Sequence, residues 1–230
     1  MAKYSQTGPL KVLVVDDHEV TSQHMIASLD RTGVIARRVC CGRDTLNSAS
    51  QWLPHVVFMD MHLPDMDGLE VIRLLKLRWP PGASLPVFIA VSGEDPRRRV
   101  DELEQLGVSQ ALTKPVSAQQ LRSIVSDLTG KPMLSGVSDE PQAKLALLFR
   151  SELETRLPEL EIHLLNLNYS KASELVHQLI ASCAMTAETR LESRFRLLSR
   201  VLNQSGRSSA LAKAYFSARE EVHEYLRRKH

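Results

Sequence analysis

The sequence predicts an α/β domain, a doubly wound five-stranded parallel sheet, followed by an all-α four-helix bundle. Three observations carry this prediction. Up to residue 128, five short apolar runs alternate with five amphipathic segments. The runs are too apolar for a sheet with one face in water, so helices must cover both faces. Beyond that point the strand signals stop and helical spacing takes over.

Within "KVLVVDDHEV" the first run gives a strand at 12–15, and a helix follows at 20–29. The pattern repeats with strands at 35–39, 56–59, 87–91 and 111–112, and helices at 43–52, 69–77, 97–106 and 118–128. Gly33, Gly68, Gly93 and Gly107, with Pro64, Pro80 and Pro81, punctuate the turns. Before the fourth helix, Asp95 reads as an N-cap and Pro96 as the first helical residue. The following Arg97, Arg98 and Arg99 read as a solvated face. Residues 1–9 form an arm, 10–128 the first domain and 129–142 a linker, "TGKPMLSGVSDEPQ", with two Pro and two Gly. Residues 143–230 form the bundle, with helices at 143–167, 172–185, 189–202 and 209–228 joined by short loops. Pro158 predicts a kink or a split in the first of these.

Composition excludes some functions. The 230 residues carry a formal net charge of +2 and only 5% aromatic residues, which argues against nucleic acid or a membrane surface as the main partner. No apolar stretch reaches the length of a membrane span, and the N-terminus lacks a secretory signal pattern. Three cysteines, Cys40, Cys41 and Cys183, fit a reducing cytoplasm rather than a disulfide framework.

The chemistry gathers at the strand ends, where open α/β sheets bind their ligands. The first strand delivers Asp16 and Asp17 to that edge, the third Asp60, the fourth Ser92 and the fifth Lys114. Carboxylates so grouped repel one another unless a cation sits among them. An oxygen-only set suits Mg²⁺, which takes one or two protein carboxylates and keeps several waters. His18, Asp65 and Asp67 read as helix-start and turn residues rather than ligands.

"VLVVDD", "VVFMDMHLPDMDG", "FIAVSG" and "ALTKP" together resemble the receiver domain of two-component response regulators, a flavodoxin-like fold, over about residues 10–128. The resemblance implies that Asp60 is the phosphoacceptor, taking its phosphoryl group from a sensor histidine kinase or another phosphohistidine donor. It implies that Asp16, Asp17, Asp60 and the main-chain carbonyl of His62 hold Mg²⁺. It also implies that Ser92 hydrogen-bonds the phosphoryl group, that Lys114 pairs with its charge, and that Lys114–Pro115 is a cis bond. Such a module turns over no small substrate beyond Mg-dependent autophosphorylation and self-dephosphorylation. Two features depart from the family pattern. Ala111 stands where the family usually has the aromatic ring that links the site to its output face. His62, two residues past the acceptor, is placed to alter how water reaches an acyl phosphate.

The second half shows no helix-turn-helix with a recognition helix, and residues 131–230 carry 15 Lys and Arg against 12 Asp and Glu. In "ASELVHQLIASCAM" the apolar positions Leu175, Val176, Leu179, Ile180 and Cys183 form a buried stripe. They leave His177 on the opposite side with Ser173, Glu174 and Ala181. Residues 143–204 resemble the histidine-phosphotransfer (Hpt) family, which implies that His177 carries a phosphoryl group. Here Ile180 replaces the family's lysine and Ala181 its glycine, so Gln178 or Arg190 is left to supply polar contacts to a phosphate. His163 and His223 read as ordinary surface residues.

Three readings follow from these resemblances. In one, phosphate is relayed through His177 to or from another receiver protein. In another, the bundle only binds and releases a partner under control of Asp60. The third, a transcription factor with an atypical helical output, is opposed by the charge balance. Tandem modules of this kind also end long hybrid kinases, so the sequence leaves the wider context open.

Overall fold

The computed structural model describes residues 8–30, 33–93, 99–130, 140–204 and 209–228. The chain divides into two compact units, Met1–Ser138 and Asp139–His230.

In the first unit the strands are β1 (Lys11–Val15), β2 (Ile35–Val39), β3 (Val56–Asp60), β4 (Val87–Ser92) and β5 (Gln110–Thr113). They alternate with α1 (Glu19–Leu29), α2 (Gly42–Trp52), α3 (Gly68–Arg78), α4 (Val100–Gln105) and α5 (Ala118–Thr129). All neighbouring pairs are parallel, in the order β2-β1-β3-β4-β5, which is the flavodoxin-like arrangement.

The apolar runs are continuous because alternate residues serve two cores. Val12, Val14, Val56, Phe58, Ile89 and Val91 pack under Met25 and Leu29 of α1 and Leu121 and Val125 of α5. Leu13, Val15, Val57, Met59, Phe88 and Ala90 pack on the other face against α2, α3 and α4. A strand with water on one side could not bury every residue as β3 does. The edge strand β2 is more polar, and its Arg37 guanidinium lies 4.6 Å from the centre of the Trp52 ring.

Two elements differ from their sequence-based bounds. β5 runs two residues longer than expected, because Gln110 and Thr113 pair with Ile89 and Ser92 although neither is apolar. α4 begins at Val100, after Arg99, so Arg97 and Arg98, together with the expected Asp95 cap and Pro96, lie outside the described residues. α5 follows its sequence signals closely. Ser117 and Gln120 form a capping box, and Gly130 ends the helix at φ 66°.

The second unit contains α6 (Glu140–Leu165), α7 (Tyr169–Met185), α8 (Thr189–Gln204) and α9 (Ser209–Arg227). Each helix packs on the next and α9 closes on α6, giving a four-helix bundle. Its core joins Phe149, Leu153 and Leu160 to Leu175, Val176, Leu179 and Cys183, then to Phe195, Leu198, Ala218 and Val222. α6 is not split at Pro158. Both Pro158 and Glu154, whose carbonyl loses its usual partner there, are exposed, so water can satisfy the freed oxygen. Asn168 caps α7 by accepting from the Lys171 N–H at 3.3 Å, which starts that helix three residues earlier than the sequence spacing suggested.

Candidate functional site

The ends of four strands meet at one edge of the first unit, and backbone bonds extend past β1, β3 and β5 to fix the side chains. The Asp16 N–H donates to the Val39 carbonyl at 3.1 Å, the Met61 N–H to Val91 at 3.0 Å and the Lys114 N–H to Ser92 at 2.7 Å. Asp16, Asp60 and Ser92 are buried there, and Asp17 and Lys114 are half-buried. The Lys114 ammonium lies 2.6 Å from Asp60 Oδ2 and 2.9 Å from Asp16 Oδ2. The second oxygen of each carboxylate accepts a backbone N–H two residues on: Asp60 Oδ1 from His62 at 3.0 Å, Asp16 Oδ1 from His18 at 2.9 Å. Both carboxylates are thereby locked in rotation before any ligand arrives. The peptide bond between Lys114 and Pro115 is cis.

Charge in this pocket is not balanced. One carboxylate oxygen from each of Asp16, Asp17 and Asp60 falls within a 4.8 Å cluster, against the single ammonium of Lys114. Burial pushes the Asp16 carboxyl above its ordinary value and the Asp60 charge adds to this, while Lys114 opposes both. Burial and Asp60 raise Asp17 in the same way. Burial by itself would lower the Lys114 ammonium, but the Asp16 and Asp60 charges reverse that and hold it above the usual lysine value. An all-oxygen donor set with surplus negative charge fits a hard divalent cation such as Mg²⁺.

A pH prediction follows. Without a divalent cation, Asp16 and Asp17 hold protons more tightly folded than unfolded. Their contribution is therefore complete below about pH 3.8 and is lost as pH rises through their raised values. Asp65 and Asp67 sit below the ordinary value, so theirs is lost only as pH falls beneath about 3.8. Chemical denaturation of the first unit's transition in Mg-free buffer should show this contribution of Asp16 and Asp17 declining as pH rises from about 4. Added Mg²⁺ should abolish that decline; an identical slope with and without the ion would contradict the charge imbalance.

Residues that flank the motifs have structural duties. His18 caps α1, its Nδ1 lying 2.7 Å from Thr21 Oγ1. Asp67 caps α3 by accepting from the Leu69 N–H at 2.8 Å, and Arg99 at the start of α4 grips the same carboxylate at 2.8 and 3.3 Å. Asp65 reaches across to the start of α2 and accepts from the N–H groups of Gly42 and Arg43 at 2.8 and 2.9 Å. Sequence reasoning treated Gly68 only as a turn residue, yet it shapes the pocket. A Cβ on Gly68 would stand 2.2 Å from the Asp60 carbonyl oxygen, and its N–H donates to the Met61 carbonyl at 3.0 Å. The only signal in sequence was its place at the end of "LPDMDG". His62 is exposed beside the site. Ala111 is half-buried against the core on the α2, α3 and α4 side, so no ring stands at that position.

The second unit presents His177 exposed on α7, with Glu174 exposed and Ala181 half-buried nearby on the helix. Leu175, Val176, Leu179 and Cys183 are buried as the spacing predicted, and Ile180 packs against the same core. Arg190 is exposed and pairs with Glu221 at 3.2 Å and Glu224 at 3.8 Å on α9. Gln178 is half-buried.

A family model described as the response regulator receiver domain matches residues 12–126, half of the chain. The chain belongs to the response regulator receiver family. Response regulator GacA of Pseudomonas aeruginosa is 35% identical over 115 residues, which cover 49% of this chain and 51% of that protein. The sensory/regulatory protein RpfC of Xanthomonas campestris pv. campestris is 26% identical over 119 residues, covering 52% of this chain and 16% of that protein. The solved structure of a CheY-like receiver domain from Methylobacillus flagellatus is 28% identical, with a TM-score of 0.46, and covers 53% of this chain and 99% of that one. The chain thus spans about half the length, or less, of these curated relatives. The receiver match ends at residue 126, ahead of the helical unit. Receiver domains are phosphoacceptor signalling modules that bind Mg²⁺ at an acidic pocket and work with sensor histidine kinases or phosphotransfer partners. No helix among the described residues is long and apolar enough to cross a membrane.

Proposed function

We propose that this protein is a cytoplasmic phosphorelay component. Its receiver accepts a phosphoryl group on Asp60 from a phosphohistidine, and its bundle, Hpt-like over residues 143–230, exchanges phosphate through His177 with a receiver. The observation that carries the first half is the clamp on Asp60, with one oxygen on the His62 N–H and the other on Lys114. An Asp60 oxygen attacks phosphorus in line with the departing imidazole nitrogen; the new O–P bond forms as the N–P bond breaks. In this reading Asp16, Asp17, Asp60 and the His62 carbonyl would hold Mg²⁺, which would supply positive charge to offset that of a phosphoryl group. Lys114 pairs with one of those oxygens, and Ser92 donates its hydroxyl to another. Water, admitted past exposed His62, later hydrolyses the acyl phosphate.

Support for the relay is the exposure of His177 on a packed bundle, with the half-buried Ala181 one turn on leaving room for a docking partner. A second reading also has a specific observation behind it. Ile180 sits against the core and Arg190 is held by two glutamates, so the cation usual beside a phosphohistidine has no counterpart among them. In that reading the bundle binds and releases a protein partner. Radiolabel separates the two: full-length protein with His177→Gln should still accept label on Asp60 from a cognate phosphohistidine and lose all transfer between its bundle and a receiver. Transfer undiminished by His177→Gln would leave the binding reading.

A further inference from the structure

Among the described residues, two groups bring three metal-ligating atoms within 4.8 Å of one another. One is the acidic pocket. The other comprises Cys40, Cys41 and Asp44, where β2 runs into α2. We propose that this second group binds a thiophilic divalent cation of the zinc and cadmium class. Cys40 Sγ, Cys41 Sγ and one Asp44 oxygen are the ligands, and water takes the fourth position.

The donor set decides the class of ion. Two thiolates and a carboxylate select a soft or borderline cation and discriminate against Mg²⁺, the reverse of the preference of the pocket around Asp60. The local backbone keeps the thiols available. Cys41 occupies the N-cap position of α2 in extended conformation but makes no capping bond there. Asp65 takes that duty instead, accepting the first two helical N–H groups at 2.8 and 2.9 Å. Cys40 and Cys41 are both free, and Cys40 is exposed, so an ion can reach them from solvent. A third sulfur borders the group: Met66 lies so close over Gly42, the residue after Cys41, that a Cβ there would meet its Sδ at 2.7 Å. Both Asp65 and Met66 belong to the segment between Asp60 and α3. An ion on Cys41 and Asp44 therefore rests against the loop that also shapes the phosphoacceptor pocket, and its occupancy can be sensed there.

Binding replaces two S–H bonds with two S–metal bonds and releases both protons to solvent, with no oxidant or reductant required. Apparent affinity should accordingly rise by up to about 100-fold per pH unit while both thiols remain protonated in the free protein. A site built from carboxylates alone would show no such slope near neutrality.

The test uses the full chain with a non-thiol reductant and excess Mg²⁺. Cd²⁺ is titrated while thiolate-to-metal charge-transfer absorbance is followed, and Zn²⁺ is measured by competition with a chelating dye. One equivalent should bind. The band should vanish in both Cys40→Ser and Cys41→Ser, and affinity should fall at least about tenfold in Asp44→Asn. Asp17→Asn, in the acidic pocket, should leave the band unchanged. Absence of a band, its survival in either cysteine variant, or its loss in Asp17→Asn would overturn the site. This inference does not depend on the phosphorelay reading.

Discussion

An Asp60→Asn variant is expected to take up no phosphoryl group on its receiver, while its fold becomes more stable than the parent in Mg-free buffer. The two effects have one source. In the proposed reading the Asp60 carboxylate is the nucleophile, its oxygens held by Lys114 and the His62 N–H, and an amide in its place offers no comparable oxygen to phosphorus. The same carboxylate crowds Asp16 and Asp17 in a pocket with one ammonium. Removing one negative charge relieves part of the repulsion and leaves Lys114 paired to Asp16 at 2.9 Å, which should stabilise by on the order of 1 kcal/mol. Denaturation in chelator-treated buffer and phosphate incorporation from a small-molecule donor measure the two. A variant that still labels on the receiver, or that is destabilised by several kcal/mol, would contradict the arrangement.

Gly68→Ala is expected to cost about 2–4 kcal/mol and to cut phosphorylation severely, though residue 68 donates no side chain to the chemistry. The methyl carbon would lie 2.2 Å from the Asp60 carbonyl oxygen and 2.9 Å from the Met61 Cα. Both neighbours are backbone, at the end of a fully buried strand, and cannot rotate aside as a side-chain tip could. The segment from Met61 to Asp67 must move, breaking the Gly68 N–H bond to the Met61 carbonyl. That movement also disturbs the His62 N–H that orients Asp60. Urea denaturation gives the stability change, and initial labelling rates give the functional one. A neutral outcome in both would show that the loop is not pinned by this contact.

The β1, β3 and β4 strands were legible because both their faces are buried, so their sequences read as unbroken apolar runs. From there a general rule for open parallel sheets carried the reading to Asp16, Asp17, Asp60, Ser92 and Lys114, residues up to 98 positions apart that meet at one edge. What stayed hidden was fixed by contacts distant in sequence and lacking any periodicity. Asp65 caps a helix 23 residues upstream, Gly68 is required by a carbonyl eight residues earlier, and the partners of Arg190 lie on another helix of the bundle. β5 was under-read because its end residues are polar and join the sheet through backbone bonds alone. In the bundle the amphipathic pattern identified which face of α7 is buried, while the surroundings of His177 depended on where neighbouring helices placed their charges.

The most direct test of the central claim is to incubate the full chain with a small-molecule phosphodonor, with and without Mg²⁺, and to map the label by residue. The account predicts an acid-stable, base-labile acyl phosphate on Asp60 that forms only when the ion is supplied. Label that forms equally well without Mg²⁺, or a receiver that stays unlabelled on Asp60 with the ion and donor supplied, would contradict it.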